Sequence, residues 1–182
     1  PFPSSDGLGI GSNPVITAGA GDYILTVDAD ADATGDYQFS LKDLSNATLL
    51  TPGNVVSSTL EPGNETDLYQ FSTNAGDQFS FDSISRTGSG NSVWRLIDPQ
   101  GNVVFNQNFG ADVSTLTLAG GTYTILVEGR FQEPATGTYS FNVVPQGNVP
   151  PTPFTGTALT LGATINGTIA TSGETDGYIF SL

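Results

Sequence analysis

The chain has 182 residues, 18 of them acidic and 4 basic, for a net charge of −14, and it contains no cysteine, histidine or methionine. Nucleic acid is excluded as a partner, because Lys42, Arg86, Arg95 and Arg130 make no basic patch to displace counterions from phosphates, and anionic membrane surfaces are disfavoured. Disulfides, thiolate metal sites and the usual Ser-His and Cys-His nucleophile pairs are excluded as well.

No apolar run reaches transmembrane length and no signal-peptide pattern is present, so an export signal is expected upstream. Apolar residues never recur at helical spacing for more than a turn, and 23 Gly and 11 Pro punctuate the chain too often for long helices. Alternation predicts strands instead, one around Tyr23 and one around Tyr37, with an acidic loop between them. Further pairs two residues apart follow: Tyr69 and Phe71, Phe79 and Phe81, Trp94 and Leu96, Leu116 and Leu118. Tyr123, Ile125 and Val127 and then Tyr139, Phe141 and Val143 complete the series. Period two places each set on one strand face, with Thr, Ser, Gln and Arg on the other. Asn74-Ala75-Gly76-Asp77 and Ala119-Gly120-Gly121 read as turns, and Asp98-Pro99-Gln100-Gly101 predicts a hairpin of 92–97 with 102–106. The fold class expected is all-β, an antiparallel β-sandwich.

Several stretches return. Gly21-Asp22-Tyr23 reappears as Gly121-Thr122-Tyr123, Gly35-Asp36-Tyr37 as Gly137-Thr138-Tyr139, and Glu65-Thr66-Asp67-Leu68-Tyr69 as Glu174-Thr175-Asp176-Gly177-Tyr178. The offsets of 100, 102 and 109 residues have the size of a small domain. They predict that 1–44 is the C-terminal part of one sandwich repeat, 45–52 a linker and 53–144 a complete repeat. The stretch 145–153 then reads as a proline-rich linker, unable to pair as a central strand, and 154–182 as the N-terminal part of the next repeat.

The order Asp67-Leu68-Tyr69-Gln70-Phe71, Ala75-Gly76-Asp77, Trp94-Arg95-Leu96-Ile97-Asp98-Pro99-Gln100-Gly101, Gly120-Gly121-Thr122-Tyr123 and Gly137-Thr138-Tyr139-Ser140-Phe141 resembles the bacterial pre-peptidase C-terminal domain. The likeness covers about 60–144 well, and 17–41 and 160–181 as partial copies. It implies a jelly-roll-like, extracellular, non-catalytic module of secreted peptidases and large surface proteins, which in some members binds calcium or a polymer such as collagen. One departure is Arg86-Thr87-Gly88-Ser89-Gly90-Asn91-Ser92, where the family carries apolar and acidic residues before the Trp94 strand.

Asp28, Asp30 and Asp32 alternate with alanines ahead of Asp36. Carboxylates about 4 Å apart repel by roughly 1 kcal/mol per pair in water and about 4 at a protein surface. Extracellular Ca2+ with oxygen ligands relieves that repulsion; a solvated, acidic loop tip is the plainer account. The spacing is not an EF-hand. Glu65 with Asp67, echoed by Glu174 with Asp176, reads as a turn-closing carboxylate or a second calcium site, the turn being preferred. Trp94 reads as a core anchor rather than a binding face. The functional expectation is a structural or adhesive repeat segment of a large bacterial surface or extracellular protein. Its partners are neighbouring repeats or identical subunits that share strands, with calcium as a stiffener. The alternative is an accessory module holding a secreted hydrolase on a polysaccharide or protein polymer.

Overall fold

The computed structural model describes residues 14–28, 34–37, 39–88, 90–130 and 133–181. The chain divides into two units, Pro1–Val149 and Pro150–Leu182. In the first, a 3-10 turn at Leu44–Asn46 precedes β1 (Thr48–Leu49), β2 (Val55–Leu60), β3 (Thr66–Thr73), β4 (Asp77–Arg86) and β5 (Val93–Ile97). Then come β6 (Val103–Asn108), β7 (Val113–Thr117), β8 (Gly121–Glu128) and β9 (Gly137–Asn148). They form a five-stranded sheet, β1-β3-β8-β5-β6, and a four-stranded sheet, β2-β9-β4-β7. Every pairing is antiparallel except β1 on β3, so the expected sandwich forms with one short parallel edge.

The alternation read from the sequence is the alternation of burial. Tyr69, Phe71, Phe79, Phe81, Trp94, Leu96, Tyr123, Ile125, Val127, Tyr139, Phe141 and Val143 share one core. Trp94 is 0% exposed, in edge or tilted contact with Phe81, Phe105, Phe109 and Phe141, which makes it the anchor expected. The Asn74–Asp77 and Ala119–Gly121 turns carry the chain from one sheet to the other, since β3 and β8 lie in one and β4 and β7 in the other. The predicted hairpin of β5 with β6 closes on Asp98, whose Oδ1 accepts from the amides of Gln100 and Asn102 at 2.9 and 2.8 Å. Gly101 takes φ 87°, which a side chain would resist. The Asn102 side chain, followed by these amides, holds the Asp98 carboxyl below the usual carboxylate range.

Four expectations need correction. The stretch 145–153 is not linker from its start, because β9 runs on to Asn148 and pairs with β4 through Pro145 opposite Phe79. Proline is tolerated there because β2 pairs β9 only up to Asn142, so beyond that residue β9 has become an edge strand. The 45–52 stretch holds β1, and Leu50 donates to the Gln70 carbonyl at 2.9 Å. Arg95 does not face solvent: β5 is buried on both faces. Residues 14–28 and 34–37 contain no strand, and the Tyr23, Leu25, Tyr37 and Phe39 side chains are exposed. Apolar alternation is an invitation to pair, and a strand forms only where a partner's edge lies alongside.

In the second unit, β10 (Thr157–Ala158) and β11 (Tyr178–Ile179) pair in parallel, Thr157 opposite Tyr178 and Ala158 opposite Ile179. Taking 109 from each number gives Thr48 opposite Tyr69 and Leu49 opposite Gln70, which is the register of β1 on β3. The hydrogen bonds around the pair shift alike. Leu50 N to Gln70 O becomes Leu159 N to Ile179 O, and Asn54 N to Thr51 O becomes Ala163 N to Thr160 O. Glu65 N to Pro62 O becomes Glu174 N to Thr171 O. Gly53 at φ 92° is matched by Gly162 at φ 82°.

Candidate functional site

Asp28 and Asp36 are exposed, whereas Asp30 and Asp32 lie outside the described residues. Among the described residues, no three or more acidic side chains converge as a metal-binding group. Glu65 closes its turn, its Oε1 accepting from the Glu61 amide at 2.5 Å. Glu174 does the same with the amides of Ala170 and Thr171 at 2.6 and 3.0 Å. A carboxylate spent on orphan amides at a chain reversal is stabilising and locally rigid.

Two buried polar arrangements stand out instead. In the first, Arg95 of β5 and Glu128 of β8 form a two-point ion pair, Nε to Oε2 at 2.5 Å and Nη2 to Oε1 at 2.9 Å. Both side chains are almost fully buried. Arg95 lies opposite Leu126 in the register, so Glu128 is its diagonal neighbour, within reach of a long side chain.

The second joins the two sheets. Asp67 and Tyr69 sit two apart on β3 and so share a face; Tyr139 reaches them from β9. Tyr139 donates its hydroxyl proton to Asp67 Oδ2 at 2.5 Å, and its oxygen lies 2.6 Å from the Tyr69 hydroxyl. Because Tyr139 has one proton and gives it to the carboxylate, Tyr69 is the donor in the second bond. Burial, and then donation to Asp67, push the Tyr139 hydroxyl far above the usual tyrosine value of 10.0. Such a relay fastens the two sheets, since a phenol whose proton is held this tightly stays a hydrogen-bond donor to the carboxylate. Tyr139→Phe is expected to cost about 1–3 kcal/mol, because it strands Asp67 Oδ2 without its donor. Urea denaturation followed by Trp94 emission reads that loss. A proton held more tightly in the folded state stabilises fully below pH 10.0, and this contribution fades as pH climbs through the raised folded value. The alkaline decline of stability is therefore shallower in Tyr139→Phe.

The sequence reading missed both arrangements. Asp-x-Tyr and Gly-x-Tyr mark the two strands that carry the relay, but nothing in either motif says that the strands meet. The ion pair needed knowledge of which strands adjoin. At the surface, the open edge between β1 and β2 forms a shallow groove lined by Thr48, Leu49, Leu50, Val55, Val56 and Tyr69.

The fold and this site define a β-sandwich whose sheets are fastened by a tyrosine–carboxylate relay. No family model and no curated protein matches the chain. Among solved structures it is similar to the pre-peptidase C-terminal domain of a collagenase from Bacillus anthracis, at 20% identity over 54% of this chain and 94% of that one, with a TM-score of 0.45. It is also similar to PliG, a periplasmic inhibitor of g-type lysozyme. For the Aeromonas hydrophila protein the identity is 14% over 53% of this chain and 95% of that one, with a TM-score of 0.42. For the Salmonella Typhimurium protein it is 16% over 55% and 98%, with a TM-score of 0.42.

Proposed function

We propose that this chain is a non-catalytic structural or adhesive segment of a large bacterial extracellular or cell-surface protein, built from tandem copies of one β-sandwich. A single observation carries this reading. The 109-residue offset recurs in the sequence, in the parallel register of two strand pairs and in the hydrogen bonds around them. Generic hairpin preference would pair neighbouring strands antiparallel, so a parallel pair repeated at the same offset points to a common template. The polar groups support a structural role. Asp67 and Glu128 are held by Tyr139 and Arg95, and Glu65 and Asp98 by backbone amides, so none is poised to exchange protons with a substrate.

Calcium belongs to this proposal as a stiffening ion at the acidic loop, with Asp28, Asp30, Asp32 and Asp36 as oxygen ligands and an affinity of roughly 10⁻⁴ to 10⁻³ M. Millimolar calcium then raises the thermal midpoint, and a chelator reverses the rise. A midpoint that ignores both removes the ion.

Limited proteolysis of the full chain tests the domain reading. A resistant core from β1 to β9 is expected, with cuts confined to the flanking segments. Early cuts within β3 to β8 would refute it. Passage over insoluble polysaccharide or collagen tests the role, and no retention is expected. Retention abolished by Tyr178→Ala would favour the accessory module that holds an enzyme on its substrate.

A further inference from the structure

We propose that the complete sandwich is built to carry tension along the chain: load enters through β1, leaves through β9, and meets both strands in shear. This rests on the repeat reading above and adds to it a mechanical task for each copy.

Topology puts the entry and the exit at opposite ends of the sandwich. β1 runs parallel to β3, Thr48 opposite Tyr69 and Leu49 opposite Gln70, so the chain comes in beside the start of β3. There Leu41, Lys42 and Asp43 surround a shallow hollow with Thr66, Asp67 and Leu68. β3 then runs to the turn at 74–76, and β4 begins beyond it at Asp77, opposite Asn148 of β9. The chain therefore leaves beside the far end of β3. The 8 residues of that strand set the two points about 25 Å apart at the usual rise.

Direction decides how a ladder breaks. Its bonds run from strand to strand, so a pull along a strand loads all of them together, whereas a pull across it opens them one after another. Tension between the residues before Leu44 and those after Val149 draws β1 back along its own axis against β3. The same tension draws β9 forward along its axis against β4 and β2.

The exit strand is fastened where the load arrives. Val149 donates its amide to the Gly76 carbonyl at 2.8 Å, and the Asn148 side chain donates to the Ala75 carbonyl at 3.2 Å and to Asp77 Oδ1 at 2.8 Å. Pro150 follows and has no amide with which to continue the ladder, so tension passes into the sheet at this bolt. Further back, β9 pairs β2 from Gly137 to Asn142 and β4 from Tyr139 to Asn148, and it buries Tyr139, Phe141 and Val143.

The entry strand is held more lightly. Leu50 donates to the Gln70 carbonyl at 2.9 Å, and the Gln70 side chain donates to the Ala47 carbonyl at 3.2 Å. Ala47 is buried and Leu50 packs on the core, but Thr48 and Leu49 are exposed. β1 is thus the link that sets the yield force. Behind it, Gly53 donates to the Val143 carbonyl at 2.7 Å and ties the turn into β2 to β9. The parallel pair recurs as β10 on β11, so the strand that takes the load belongs to the repeated template.

The chain has no native cysteine, so pulling handles can be placed by substitution in the full chain. Leu41→Cys with Val149→Cys sets the pull along the axis. Asn54→Cys with Val149→Cys sets it across β9 at the exit end, where β9 peels from β4 beginning at Asn148; all three positions are exposed. Forced unfolding of single molecules at one pulling speed is expected to need several-fold more force along the axis than across it. Leu50→Pro, which removes the donor to Gln70, should lower the axial force and leave the crosswise force unchanged. Equal forces in the two directions would overturn the proposal, as would a Leu50→Pro chain whose two forces fall in step. Limited proteolysis separates the two levels. If the core from β1 to β9 resists cleavage while the forces are equal, the load path is wrong and the repeat reading stands. If that core is cut within β3 to β8, both fall.

Discussion

Phe81→Ala is expected to remove about 3–5 kcal/mol from the complete sandwich, the usual cost of deleting a fully buried phenylalanine. Phe81 is 0% exposed on β4, and its ring meets Phe71, Trp94 and Phe105 of the opposite sheet at centroid distances of 6.4, 6.4 and 5.0 Å. The cavity would therefore open between the sheets, where neither can close over it without sliding on the other. Domains of this size carry about 5–15 kcal/mol in total, so the variant sits near the edge of folding at 37 °C. Chemical denaturation by circular dichroism, with Trp94 emission as a second probe, measures the change. A cost under about 1 kcal/mol would mean that the two sheets do not share one core.

Glu128→Ala should be comparably severe, for a different reason. It leaves the Arg95 guanidinium buried without the carboxylate that neutralises it, and losing one partner of a buried ion pair costs about 3–5 kcal/mol. Arg95→Met combined with Glu128→Leu removes both charges and keeps most of the volume, and should recover most of the loss. The pair is nearly out of reach of solvent, so the Glu128→Ala cost should change little between low and high salt. A single-variant cost that salt erases, or a double variant no better than the single, would contradict the buried pairing.

Much of the fold was legible because side-chain alternation is a local property. Tyr69 with Phe71, and Tyr139 with Phe141 and Val143, announced their inward faces without reference to any neighbour. Asp98 and Gly101 announced their turn through chemistry confined to five residues. Adjacency was not legible. Arg95 reads as a solvent-facing residue until β5 is placed between β8 and β6, whereupon the outer face of that strand proves buried. Pro145 reads as the start of a linker until β2 is seen to stop short of it. The Tyr23 and Tyr37 segments carry the same alternation as β8 and β9, yet a strand requires a partner, and similarity cannot supply one. Of the candidate site, Glu65 was read correctly as a turn closer, because its partner is the nearby Glu61 amide. The relay of Asp67, Tyr69 and Tyr139 spans 72 residues of chain and two sheets, and no local pattern encodes such a meeting.

The most direct measurement is an experimental structure of the assembled chain, with 157–181 superposed on 48–72. The expected result places Thr157 and Tyr178 on Thr48 and Tyr69, with the Asp176 and Tyr178 oxygens converging as those of Asp67 and Tyr69 do. Finding 157–181 in another topology, or Tyr178 buried against an element with no counterpart in the first unit, would contradict the account.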